Sequence, residues 1–257
     1  MIKFFRKIRQ KLLSENKMGK YLTYAIGEII LVVIGILIAL ALNNWNSNRL
    51  SIDRNNTLLI KLSKELDLNI ERAASLDSFE FGGFKSKLKF TDSIFNLLDK
   101  NLARNHLDYI TSELIFYVNT FNLNTSVFQE LMNTGSLYSI GSDSLVTQIQ
   151  KYYQLCERES YYNLEYSQNV NTLQFRCSDG WYDLKYLYKK DPDEAIKHHP
   201  WITHPRSPEY IHFRQFVYAA RNQHGLMSLK LNGIIKEAEK LKKLIASEQI
   251  KKGFKKN

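Results

Sequence analysis

The 21 residues from Leu22 to Leu42, LTYAIGEIILVVIGILIALAL, are apolar but for Thr23, Tyr24 and Glu28. No other stretch limits the fold as much. The charge-free part, Ile29 to Leu42, would cover only about 21 Å as a helix, short of a hydrocarbon core of about 30 Å. Starting at Leu22 makes the segment long enough, which draws Glu28 inside it, about 9 Å from its start. A carboxylate at the centre of a bilayer costs about 2.5–3.5 kcal/mol, and less toward an edge. Helical side chains lean toward the N-terminus, so Glu28 leans toward the nearer surface, where Lys20 and Tyr24 lie.

Two readings of Glu28 stand side by side. In one it is protonated or tips toward the interface and does nothing else. In the other it pairs with a partner helix. Glu28, Gly35, Ala39 and Leu42 share a stripe, and Gly35-x-x-x-Ala39 has the small-residue spacing that lets helices approach closely. Seven Lys/Arg precede the span against one Glu, and the exit NNWNSN is uncharged until Arg49. The excess of positive charge places the N-terminus in the cytoplasm, with Trp45, Tyr21 and Tyr24 suited to the two interfaces. Ala39-Leu40-Ala41 resembles a signal-peptide cleavage site. The long basic region and long apolar core favour an uncleaved anchor instead. Ile2, Phe5, Ile8 and Leu12 recur at helical spacing among basic residues, which predicts an amphipathic segment on the anionic inner leaflet.

The net charge of +10 suggests a polyanion partner until its distribution is considered. Residues 1–50 carry +6 and the closing KKGFKKN carries +4, while 51–250 balance to zero. The body has no net field to attract nucleic acid, and no recognition motif occurs. No nucleic-acid partner is therefore expected. The two cysteines, Cys156 and Cys177, lie 21 positions apart. On one helix that is about 32 Å, far beyond the roughly 7 Å that a disulfide allows.

The opening MIKFFRKIRQKLLSENKMGKYLTYAIGEIILVVIGILIALALNNWN resembles the start of an uncharacterised family of single-pass membrane proteins common in Bacteroidota, with its basic aromatic stretch, YAIGEI-like entry and NNWN-like exit. Glu28 coincides with the glutamate of that motif. FQELMNTGSLYSIGSDSLVTQIQKYY, Phe128–Tyr153, is similar to the family's leucine–glycine turn and the helix after it, which ends in paired tyrosines. The resemblance implies a membrane protein of a Gram-negative envelope and carries over no catalytic or binding residue.

Beyond the span, Leu59, Leu62, Leu66, Ile70 and Ala73 predict an amphipathic helix over about 48–78, continuing from the span as one rod. Phe81-Gly82-Gly83-Phe84 breaks it. Helices over about 85–101 and 106–120 follow, although ELIFYVNTF also reads as a strand. Thr125 offers an N-cap for a short helix ending at Gly135. Ser142 or Asp143 starts a longer helix running toward Phe175. Gly180 and the four prolines mark an irregular region over about 178–206. Ser207-Pro208-Glu209 is a helix start, and a near-heptad apolar repeat follows from Tyr210 to Ile245. The expected fold is all-α: one N-terminal transmembrane helix, then an extracytoplasmic antiparallel bundle of long helices standing on the membrane. The segments are 1–20 cytoplasmic, 21–45 transmembrane, 46–250 extracytoplasmic and 251–257 a basic tail.

No phosphate-binding glycine loop, nucleophile elbow, HExxH or CxxC occurs, so no cofactor or metal is assigned. His198, His199 and His204 cluster on what reads as an extended, water-facing loop. Eight tyrosines lie between Tyr152 and Tyr188, and their helical spacing favours a core role over ligand stacking. Glu65, Asp67, Glu71, Glu157 and Glu159 alternate with bases, which reads as a solvated face. These features favour a non-enzymatic envelope module that binds another protein or a second copy of itself. The alternative is a ligand-sensing module using 178–206, with a cavity lined by Tyr182, Tyr186 and the histidines. An enzyme is the least favoured class.

Overall fold

A computed structural model describes residues 18–78, 80, 82–98, 102, 104–113 and 120–251. The predicted amphipathic segment up to residue 17, the tail beyond Lys251 and the ambiguous stretch 114–119 lie outside the described residues. The regular elements among the described residues are all helical: α1 (Met18–Leu76), α2 (Phe84–Phe95), α3 (Arg104–Glu113), α4 (Ser126–Asn133), α5 (Asp143–Tyr188), α6 (Pro192–His198) and α7 (Pro208–Lys251), with 3₁₀ turns at Ser136–Ser139 and Pro200–Thr203. The chain divides into two compact units, Met1–Asn55 and Asn56–Asn257, and α1 contributes to both.

In the first unit α1 carries the apolar run. Its residues, among them Leu22, Ile26, Ile29, Leu31, Leu37, Leu42 and Trp45, are exposed, and none of the most apolar window is buried. Among the described residues α1 alone is long and apolar enough to cross a membrane. Within it the Thr23 hydroxyl donates to the Gly19 carbonyl at 3.0 Å, which satisfies a polar group without a partner from outside the helix.

The second unit begins inside α1, where Leu59, Leu62, Leu66 and Ala73 bury one stripe, as their spacing predicts. The break after Leu76 belongs to the two glycines. Gly82 has φ +88, and a Cβ on Gly83 would sit 2.3 Å from the Ser78 carbonyl oxygen. At Asp191, by contrast, the break is a capping motif: its side chain accepts the Asp193 and Glu194 N–H groups, and Pro192 follows in the first turn.

The two longest helices of this unit, α5 and α7, run along each other. Ser142, just before α5, meets Glu248 near the end of α7. Gln148 donates to Glu237 at 2.7 Å, Glu159 pairs with Lys230 and Gln223 donates to Ser167 at 2.7 Å. Two apolar clusters lie along this pair. One joins Leu59 and Leu66 of α1 to Ile149 and Tyr152 of α5 and Leu231 and Leu241 of α7. The other joins Ile94 of α2 and Ile110 of α3 to Trp181 and Leu184 of α5 and Phe213 and Phe216 of α7.

Three sequence expectations are corrected. The irregular region of about 178–206 is mostly helical: α5 runs to Tyr188, then α6 and a 3₁₀ turn follow. Gly180 does not end α5. It lies against Trp201, whose indole nitrogen would be 3.0 Å from an added Cβ, so the missing side chain gives the indole room and offsets the roughly 1 kcal/mol that glycine costs in a helix. The second helix ends at Phe95, not near 101. Thr125 does hold the N-cap position of α4, but its side chain makes no capping hydrogen bond; the Val127 N–H in the first turn donates instead to Glu65 of α1 at 2.7 Å.

Candidate functional site

Of the residues singled out in the apolar segment, Glu28 is partly covered, while Gly35, Ala39 and Trp45 are exposed. An added Cβ on Gly35 meets nothing within 4 Å, so the small-residue stripe faces outward on the helix. The Arg49 guanidinium lies 6.0 Å from the Trp45 ring, a cation–π contact at the apolar segment's exit.

His198 ends α6, whereas His199 and His204 flank the Pro200–Thr203 turn outside any helix, and their partners differ. His198 approaches Glu194 at 3.5 Å, His199 approaches Asp183 at 3.0 Å, and His204 Nδ1 donates to the Pro200 carbonyl. Among the described residues no three His, Cys, Asp or Glu side chains gather around a point that a metal ion could occupy. The exposed Tyr182 accepts from Gln174 at 2.7 Å, and Tyr186 lies 4.3 Å under the Lys190 ammonium. The core reading of the tyrosines holds for Tyr152, Tyr153 and Tyr188, but Tyr161, Tyr162, Tyr166, Tyr182 and Tyr186 are exposed.

The solvated-face reading fails for two of the five acids. Glu65 is 3% exposed and Glu159 is 4% exposed. Glu65 accepts from the Tyr153 hydroxyl as well as from Val127. Glu159 is held by Lys230 and by Arg158 at 2.6 Å. Burial pushes the Glu159 carboxyl up, but the two cations more than offset it and hold it below the usual carboxylate range. Neither burial was visible in the alternating charge pattern, because each partner lies on another helix or in the wrong direction along the same one.

Five other buried groups, two thiols, two phenols and an imidazole, are held neutral. Burial pushes the Cys156 and Cys177 thiols up to about 11 and raises both the Tyr152 and Tyr153 phenols. His224 is driven down to about 3 by burial and by the nearby Lys87 charge; its Nδ1 lies 3.4 Å from the Thr91 hydroxyl. A proton-transfer group works best when its pKa is near the ambient pH, and these groups are all shifted away from it.

A groove of about 480 Å³ lies between α5 and α7. It is lined by Val170, Leu173, Ala219 and Leu226 with the buried Gln223 among them, and by Tyr166 and Tyr218. Asn169, Gln215, Asn222 and Arg176 stand at the edges. Tyr182, Tyr186 and the three clustered histidines do not line it. Sequence reasoning missed the groove, although the pairing of Tyr166 with Leu173 and of Tyr218 with Leu226 at helical spacing was a signal for it. No protein-family model, curated protein or solved structure matches the chain.

Proposed function

We propose that the chain is a non-enzymatic, membrane-anchored module of the cell envelope. Its apolar helix crosses the bilayer once with the N-terminus in the cytoplasm, and its extracytoplasmic body, an antiparallel bundle of long helices, binds another protein. One observation carries this reading: no residue in the most apolar window of α1 is buried. A 21-residue run, apolar but for three residues, would in water forfeit about 25 cal/mol for each Å² of exposed apolar area, whereas a hydrocarbon core accommodates a helix of this length and composition. The basic residues before it and the uncharged exit after it support this orientation. The opposed order of the α5–α7 contacts, from Ser142–Glu248 to Ser167–Gln223, supports the antiparallel arrangement.

The non-enzymatic part rests on Cys156, Cys177 and His224, buried groups whose pKa values lie far from neutrality. Chemical crosslinking in native membranes, read by mass spectrometry, tests the binding role. The expected result is a reproducible adduct between the body and a second polypeptide. A protein that stays a solitary monomer at its native abundance contradicts it.

A further inference from the structure

We infer that the groove between α5 and α7 is the docking site for an amphipathic helix of a partner protein, which lays an apolar face on the groove floor and an acidic side chain on Arg176. This deepens the binding role proposed above and rests on it. Two helices side by side leave a furrow that a third helix fills with its own ridge of side chains. Elsewhere in this unit that place is taken: α1 packs against the half of the pair that holds Ile149 and Leu231, and α2 lies against α7 at Ile94 and Phe216. Between Tyr166 and Arg176 the groove's Leu173, Ala219 and Leu226 stay partly exposed, above the buried Val170. From residue 166 to residue 176 the furrow is about 15 Å long, close to three helical turns.

The edge groups give the occupant its chemistry. Among the described residues Arg176 makes no ion pair or hydrogen bond, nor do the side chains of Asn169, Gln215 and Asn222. An uncommitted guanidinium beside an apolar floor calls for a carboxylate, which it can grip in bidentate fashion. Glu165, exposed and likewise uncommitted, lies eleven positions earlier, about 20° around the helix from Arg176. The partner's acid must therefore sit at the Arg176 end, because at the other end it would meet Glu165. The one buried polar group of the lining, Gln223, already donates its amide to Ser167, and a mainly apolar floor suits a helix better than a sugar, whose faces need hydrogen bonds throughout.

The test uses the full chain in its native membrane. A photoreactive benzoylphenylalanine replaces Tyr218 in one variant and Tyr186, which is exposed on α5 outside the groove, in a second. Adducts are digested and sequenced by mass spectrometry. The inference expects the Tyr218 variant to capture a protein segment with apolar residues at helical spacing and an Asp or Glu within a turn of the adduct. Arg176→Glu should cut the yield more than tenfold with the thermal midpoint unchanged. An adduct on lipid, glycan or a second copy of this chain, a captured segment without an acid, or a yield indifferent to Arg176→Glu overturns it. So does equal capture from the Tyr186 position. If partner adducts form from Tyr186 and not from Tyr218, the groove assignment fails while the binding role stands; if none form from either, both fail.

Discussion

The carboxylate of Glu65 on α1 accepts the phenolic hydrogen of Tyr153 on α5, a partner 88 positions away in sequence. Its other oxygen accepts the Val127 N–H in the first turn of α4. One buried side chain thus joins three helices and does for α4 what a local cap would otherwise do. Beside it, Asn69 of α1 pairs both ways with the backbone of Asn124, at 2.6 and 2.9 Å, and Tyr153 stacks on Phe128 with ring centroids 4.2 Å apart. The segment leading into α4 is held to α1 by polar contacts that only the assembled fold can supply.

Removing one half of that contact strands the other. Tyr153→Phe leaves a buried carboxylate short of a donor and should destabilise the fold by about 1–3 kcal/mol. Adding Glu65→Met to it should cost less than the sum of the two single changes, since no buried charge is then left exposed to an apolar neighbour. Urea unfolding of the detergent-solubilised protein, followed by tryptophan fluorescence, measures both. Strict additivity would contradict the coupling.

The same reasoning applies to Glu159, which Lys230 and Arg158 hold. Lys230→Met removes its largely buried partner and should cost about 3 kcal/mol, the range seen when one half of a buried pair is lost. Arg158→Met, at an exposed position, should cost less than about 1 kcal/mol. The two unfolding midpoints, compared under identical conditions, decide the order.

His224 gives the fold a pH dependence of predictable sign. Its pKa in the folded chain is about 3, against 6.5 for the free side chain. The unfolded chain therefore binds the proton first as pH falls. The stability contributed by the neutral imidazole is complete above pH 6.5 and is lost as pH falls toward 3. Between pH 6.5 and 5 the loss is about 2 kcal/mol, at about 1.4 kcal/mol per unit. His224→Gln should flatten the stability profile over that interval, where most carboxylates stay ionised. An unchanged slope would contradict the assignment.

Cys156 and Cys177 are both buried on α5 and unpaired, with thiols pushed up to about 11. The thiolate is the reactive form. Native protein at pH 8 should therefore resist iodoacetamide, and both residues should label together on denaturation. Rapid native labelling of either would mean that α5 opens locally.

Much of the helical layout was legible because it rests on short-range signals. Ser207-Pro208-Glu209 predicted the start of α7, and the Tyr210 N–H does reach the Ser207 hydroxyl at 3.2 Å. The glycine pair at 82 and 83 predicted a break because it permits geometries that other residues cannot adopt. What stayed hidden depends on distant partners. Gly180 looked like a break because nothing local announces that Trp201 packs on it. Glu65 and Glu159 looked solvated because an alternating charge pattern is silent about Tyr153 and Lys230. The groove was hidden for the same reason, since each helix supplies only half of it.

The account depends most on the apolar helix being a retained, single crossing with the body outside. Protease treatment of intact spheroplasts, with one epitope at each terminus, reads both features together. The account predicts that the C-terminal epitope is destroyed while a short N-terminal fragment keeps its epitope and stays in the membrane pellet. A protected C-terminal epitope, or a membrane fraction in which the N-terminal epitope is missing before any protease is added, would contradict it.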